Sequence, residues 1–289
     1  MTDSCRVEIE TGQRFEFGKN WKNFLSKIDD SRIRSAEEAT KTMLGLADLD
    51  GKSFLDVGSG SGLFSLVALR LGASFVHSFD YDPHSVECAD ALKLQHYPSN
   101  TKWTIERGSV LDREYLKSLG QFDVVYSWGV LHHTGNLWQA LENVTPLVID
   151  GGLLFVSIYN CQPFLSAYWK AIKRVYNRLP RVAQVAMEIA FLLLYGVGFL
   201  GVDVVRGRNP LDRWAGRGQR GMSMYVGMQD WLGGYPFEVA SPEEVFRFYR
   251  DRGFTLRELK TCGGKQGCNQ FVFERHGADR GPRASISTC

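Results

Sequence analysis

The sequence lacks paired cysteines. Its six cysteines, Cys5, Cys88, Cys161, Cys262, Cys268 and Cys289, are scattered, and none forms a C-x-x-C pair. Cys262 and Cys268 have no second Cys/His pair to complete a zinc site. Free, reduced thiols in a cytoplasmic protein are therefore expected. An excess of one charge is missing too. The 34 Lys and Arg nearly balance the 32 Asp and Glu, for a net charge of +2. No global polycation argues for nucleic acid as a partner. Met1 to Gly18 is polar and acidic and has no apolar h-region, so no signal peptide is expected. No internal repeat is visible. What remains is ordinary globular material, 44% hydrophobic and 23% charged. A chain of 289 residues forms one large domain, or one domain with an appendage.

A glycine is also absent where one nucleotide motif needs it. Ser53 to Val57 is an apolar run of strand length, and Gly58, Gly60 and Gly62 follow at every second position. Leu63 to Leu71 then turns helical and ends at Gly72. Strand, glycine turn and helix make a nucleotide-binding corner. The dinucleotide fingerprint G-x-G-x-x-G would put a glycine at position 63, where Leu63 stands. The motif present is G-x-G-x-G preceded by Asp56. A second acid, Asp80, closes the following strand, where a carboxylate can accept both ribose hydroxyls.

These two features together resemble the class I S-adenosylmethionine (SAM)-dependent methyltransferases of small molecules, over about Lys52 to Asn160. The resemblance implies SAM as cofactor, S-adenosyl-L-homocysteine as product, and no metal. It implies that Asp56 and the turn through Gly58, Ser59, Gly60 and Gly62 hold the methionine part of SAM. Asp80 would take the ribose and Tyr81 would lie beside the adenine. Ser109, Val110 or Asp112 would face the adenine edge. The family often has an acid where Ser109 stands, so that contact departs from the pattern. Ser127 and Trp128 would line the pocket.

Strands alternate with helices from Ser53 to Tyr159, which argues for a parallel sheet covered on both faces. The expected fold is α/β and Rossmann-like, with a seven-stranded, mostly parallel sheet and an antiparallel last strand. Its parts are an N-terminal helical segment or flap (1–50), a SAM-binding core (51–160), a helical insertion after the fifth strand (161–235), a closing helix and strands (236–276) and a disordered tail (277–289). Residues 1–14 read as a flexible or loosely strand-like lead-in. Ser31 to Leu46 reads as an amphipathic helix, with Ser35 as its N-cap and Glu38 completing a capping box.

Within the insertion, residues 181–201 are nearly all apolar and approach the length of a membrane span. Gln184 and Glu188 oppose a span, and so do three glycines in its second half. The expectation is a buried helical cap over the site, with a lid that makes peripheral membrane contact as the alternative. Arg206 to Arg220 is basic and glycine-rich and reads as a loop.

The chemistry concentrates in two segments. Tyr126 to Gly135 leaves the fourth strand at the carboxyl edge and carries His132 and His133. Either imidazole could serve as the base a hydroxyl acceptor needs, with His133 preferred. Gly221 to Glu238 is aromatic and glycine-rich and can reach over the same edge. Asp230, Trp231, Tyr235 and Glu238 are the residues expected in a substrate-side wall, with Asp230 close to the chemistry. The function expected is methyl transfer to oxygen or nitrogen of a small, hydrophobic or lipid-like acceptor. Two rivals remain: a tRNA or protein methyltransferase, supported by the basic loop, and a non-catalytic SAM-binding module.

Overall fold

The computed structural model describes residues 4–25, 28–99, 101–205, 207 and 224–277, with backbone alone for 22–24, 195–205 and 224–226. The basic loop, apart from Gly207, the first three residues of the aromatic segment, and the C-terminal tail beyond 277 lie outside the described residues.

A seven-stranded sheet organises the chain: β1 (Ser53–Val57), β2 (Phe75–Asp80), β3 (Trp103–Arg107), β4 (Phe122–Trp128), β5 (Val148–Tyr159), β6 (Phe254–Lys260) and β7 (Cys268–Arg275). Their order is β3-β2-β1-β4-β5-β7-β6. The first four pairings from β3 to β5 are parallel, while β7 runs antiparallel to both neighbours. This is the expected sheet. Its central strands are buried on both faces because helices cover both, which is why they read as apolar runs, while the edge strands β3 and β6 are partly exposed. One core lies around Leu55, Val125 and Phe273, the other around Phe54, Trp103 and Phe155.

The helices are α1 (Ser4–Glu10), α2 (Phe17–Leu25), α3 (Asp30–Leu44), α4 (Leu63–Arg70), α5 (Pro83–His96), α6 (Arg113–Ser118), α7 (Leu137–Val144), α8 (Pro163–Arg178), α9 (Arg181–Val205), α10 (Met224–Gly233) and α11 (Pro242–Arg250). The strand order reverses between β1 and β4, which opens a crevice at their carboxyl ends.

Three local expectations are corrected. The lead-in is not strand-like, since Ser4–Glu10 is helical. Asp29, not Ser35, caps α3: its carboxylate accepts from Arg32 N–H, whereas Ser35 donates to the Ser31 carbonyl inside the helix. Asp is as good an N-cap as Ser, and from this position it starts the helix at Asp30. The apolar helix is only half covered: Met187, Phe191 and Leu192 pack on the aromatic cluster, while Leu193 and Leu194 of α9 are 63% and 74% exposed. Among the described residues, no helix is long and apolar enough to cross a membrane.

Glu188, on the covered side of that helix, is 1% exposed. It accepts from Tyr176 Oη at 2.7 Å and from Arg181 at 2.8 Å, and Gln229 reaches its other oxygen at 3.2 Å. One carboxyl group with three donors thus ties α8, α9 and α10 together. A buried carboxylate is tolerated where its lone pairs are satisfied in this way.

Candidate active site

The glycine turn sits at the reversal point of the sheet. Gly58, Gly60 and Gly62 have φ values of 73°, 55° and 79°. Side chains other than glycine's rarely adopt that left-handed region. Space forbids them as well. A Cβ on Gly58 would strike the Val130 methyl groups, and one on Gly60 would lie 2.9 Å from the Trp21 ring. The glycines therefore let Val130 and Trp21 close directly onto the turn.

Asp80 closes β2 and grips this turn. Oδ2 accepts from Gly60 N–H at 2.9 Å, and Oδ1 accepts from Asp82 N–H at 2.9 Å. Each oxygen keeps a further acceptor position. Burial raises the Asp80 pKa to about 6 despite both backbone donors. Asp56 lies beneath the turn and is 2% exposed. Ser65 donates to it at 2.6 Å, Ser65 and Ser78 are joined at 2.6 Å, and Trp103 donates to Ser78 at 2.7 Å. This chain links β1 to α4, β2 and β3. Burial pushes Asp56 up to about 7, the Ser65 hydrogen bond opposes that, and the nearby Asp80 charge adds to it.

The remaining cofactor-side residues divide. Ser59 Oγ is buried in the turn with no hydrogen-bond partner among the described residues. Tyr81 is held by α1: its hydroxyl meets Ser4 at 2.8 Å and Glu8 at 3.2 Å, and Arg14 lies over its ring at 4.8 Å. Ser109 accepts from Leu111 N–H and shapes its own turn. Val110 points into the core, while its carbonyl accepts from Asn143. Asp112 caps α6, accepting from Glu114 and Tyr115 N–H at 3.1 Å. Its carboxylate is thereby committed to the helix. Ser127 donates to the Val57 carbonyl and locks β4 to β1. Trp128 stacks on Phe64 at 5.1 Å.

The histidines follow β4 in a short 3-10 turn, Leu131–His133. His133 Nδ1–H donates to the Pro236 carbonyl at 2.6 Å, which leaves the Nε2 lone pair free to accept. Burial lowers its pKa to about 3, helped by the Lys173 and Arg14 charges and opposed by the Pro236 bond. His132 is 1% exposed, its pKa is pushed well below the ordinary value by burial, and its Nδ1 lacks a partner among the described residues. Both rings are neutral at physiological pH.

The wall opposite the histidines is aromatic. Tyr159 lies 4.0 Å from the His132 ring and 5.8 Å from Trp231, which meets Trp169 at 5.2 Å. Asp230 accepts from Asn20 at 2.6 Å. Tyr235 accepts from Arg174 at 3.2 Å, on the outer side of the wall. Glu238 serves the histidine loop directly. Its N–H donates to the His132 carbonyl at 3.0 Å, and its Oε1 accepts from Leu137 N–H at the start of α7. Its Oε2 is buried without a partner among the described residues, and burial raises its pKa.

Residues not anticipated from sequence complete the site. Lys173 of α8 is 0% exposed; it donates to the Trp231 carbonyl and lies 4.4 Å from the Trp231 ring. Burial lowers its pKa to about 7, opposed by the Asp230 charge. The available signal is its spacing: Trp169, Lys173 and Tyr176 fall on one helix face, and both aromatics are buried. The N-terminal helices form a strap from one side to the other. Gly18 N–H donates to Asp82 at 2.9 Å, Trp21 covers Gly60, and Arg14 donates to the His133 carbonyl at 3.0 Å.

These features suit a SAM-type ligand. A left-handed glycine turn, an unmet buried hydroxyl at Ser59 and a strand-terminal carboxylate with spare acceptor capacity match an amino acid, a ribose and their links. Gly58 to Gly62 and Ser59 would hold the methionine part, Asp80 the ribose, and Tyr81 the adenine side. The ligand, when bound, supplies an activated methyl group on a sulfonium.

Comparison with known proteins agrees. A family model described as a methyltransferase domain matches residues 55–154. A mitochondrial ubiquinone biosynthesis O-methyltransferase of Dictyostelium discoideum is 30% identical over 135 residues, 45% of this chain and 41% of that protein. One from Cupriavidus pinatubonensis is 31% identical over 140 residues, 47% of this chain and 53% of that protein. A ribosomal protein L11 methyltransferase of Anoxybacillus flavithermus is 30% identical over 112 residues, 39% of this chain and 31% of that protein. The chain thus spans about a third to a half of the length of these relatives. Among solved structures, magnesium protoporphyrin IX methyltransferase from Synechocystis PCC 6803 superposes with a TM-score of 0.50 at 14% identity, covering 84% of this chain and 83% of that one. The fold, the glycine turn with its ribose-side acid and the domain match agree: residues 55–154 match a methyltransferase domain, and the sheet that carries them has the fold of the class I SAM-dependent methyltransferases.

Proposed function

We propose that this chain moves the methyl group of SAM to an oxygen or nitrogen of a small, hydrophobic acceptor. One observation carries the reading. The Asp80–Gly60 turn and the His133 loop lie on one carboxyl edge, and an aromatic wall of Tyr159, Trp231 and Trp169 continues from the histidines. An apolar, water-poor pocket beside a methyl donor favours displacement by holding the acceptor in line, and orientation alone contributes on the order of 7–11 kcal/mol in well-fitted cases. Neutral His133, with Nδ1–H fixed on Pro236, offers Nε2 to a hydroxyl proton. The relatives named for ubiquinone biosynthesis support an oxygen acceptor on a hydrophobic molecule.

The similarity to ribosomal protein L11 methyltransferases supports a second reading, a protein acceptor. Labelled-methyl transfer from SAM separates the two. Turnover of phenolic or amine-bearing hydrophobic acceptors, lost in His133→Ala, supports the first. Label entering only protein or RNA fractions overturns it.

A further inference from the structure

Helices α8 and α9 follow one another across Leu179 and Pro180. Each carries an apolar stripe at i, i+4, i+7 and i+11 that faces away from the protein. On α8 the stripe runs Phe164, Tyr168, Ala171, Val175; on α9 it runs Val182, Ala186, Ile189, Leu193. All of these side chains are exposed, Phe164 at 93% and Val182 at 83%. Such spacing gives a continuous face on a helix. The opposite face of α8, with Trp169, Lys173 and Tyr176, is the one buried in the aromatic wall. Both faces of these helices are therefore apolar, and only one has a partner in the described structure.

The charges beside the stripe have one sign. Lys170, Arg174, Arg178 and Arg181 are all exposed. From Cys161 to Leu200 the sequence contains a single acid, Glu188, which is buried and already paired with Arg181. An exposed apolar stripe flanked by cations, on helices that carry no exposed acid from residue 161 to 194, is complementary to an anionic lipid surface. Apolar side chains enter the headgroup boundary while Lys and Arg meet the phosphates. A protein partner of mixed charge would find no acid to pair with its own cations.

We infer that the α8–α9 face seats this protein on an anionic membrane surface. The seat places the aromatic wall next to the bilayer, with Trp169 on the inner side of the same helix that carries Phe164. Where the acceptor reading above holds, an acceptor dissolved in the bilayer would enter beside that wall without crossing water.

The test uses the whole chain and sedimentation with vesicles. One set is phosphatidylcholine with about a third phosphatidylglycerol; the other is phosphatidylcholine alone. Binding is expected to the anionic vesicles, and to weaken by roughly fivefold for each of Lys170→Gln and Arg178→Gln. Val182→Glu combined with Leu193→Glu should weaken it by at least about tenfold. SAM binding by the same variants should stay at the level of the unaltered chain, which shows that they fold and separates this inference from the methyltransferase reading. No binding to anionic vesicles at low salt would overturn the proposal. So would vesicle binding that ignores the paired glutamates. A dimer in sedimentation velocity that these glutamates dissolve would assign the face to a second copy of the chain instead.

Discussion

Asn20 and Asp230 stand 210 residues apart in the chain and share a 2.6 Å hydrogen bond. The bond ties α2, which lies over the glycine turn, to the segment that walls the histidines. The strap and the wall are thus a single cover. Asn20→Ala and Asp230→Ala are expected to speed dissociation of S-adenosylhomocysteine by roughly tenfold each, the range set by a hydrogen bond to a charged group. The double variant should add little to either, because each removes the same contact. Stopped-flow release rates check this. Fully additive effects would show that the two residues act separately.

His133 should contribute no inflection to the pH profile of kcat. Its pKa is held near 3, so the ring is neutral throughout the usual assay range. At saturating SAM, kcat attributable to this residue should be flat between about pH 5.5 and 8. His133→Gln should lower kcat by roughly a hundredfold or more if the acceptor is a hydroxyl. SAM affinity should change by less than about twofold, because the ring's one fixed bond goes to Pro236. A fall in kcat centred near pH 6.5 would contradict the account.

Two buried acids and one buried amine should tilt stability in opposite directions. Asp56 titrates near 7 in the folded chain against an ordinary carboxyl value of 3.8, so the folded state holds its proton longer. Its cost is absent below about pH 4, grows as pH rises, and is complete above about 7. Asp80, raised to about 6, acts in the same sense. Lys173 is lowered from 10.5 to about 7, so its cost is complete below pH 7 and is relieved as pH rises toward 10.5. Asp56→Asn should therefore raise Tm at pH 8 and flatten the decline between pH 4 and 7. Lys173→Met should raise Tm at pH 6, by roughly 3 °C or more, and remove the recovery above pH 7. Thermal melts across this range decide it. A Lys173→Met chain that melts lower at every pH would show that the amine's bond to Trp231 outweighs its burial.

Glu238 is expected to act through the loop it holds. It accepts from Leu137 N–H at the start of α7 while its own N–H holds the His132 carbonyl. Glu238→Ala should cost about 1 kcal/mol of stability, as for loss of a helix cap. It should lower kcat more than it changes SAM affinity. Glu238→Gln keeps an acceptor oxygen and should restore most of kcat. Failure of Gln to restore it would place the carboxylate charge itself in the reaction.

The sheet was legible because its signals are local. Glycines at 58, 60 and 62 and an acid at 80 mark the ends of two strands, and strands buried on both faces read as apolar runs. The histidine loop was legible by its place after β4. The roles of Asp112 and Val110 were not. Whether an acid binds a ligand or caps the next helix depends on where the neighbouring N–H groups point, and Glu114 and Tyr115 point at Asp112. Lys173 was hidden because a lysine in a basic helix normally faces water. Only the packing of Trp231 and Phe237 around it turns that expectation over. Apolar composition overstates the burial of the 181–201 helix. Composition gives the number of apolar groups, while their partners come from long-range contacts.

The most direct test is calorimetric titration of SAM into the purified chain and into Asp80→Ala. The account predicts a single site. It predicts affinity weaker by roughly 10- to 100-fold in Asp80→Ala, the loss of charge-assisted hydrogen bonds to a ribose. It also predicts that affinity in the unaltered chain falls as pH drops through about 6, where Asp80 takes up its proton. Absence of SAM binding, or binding indifferent to both Asp80→Ala and pH, would contradict it.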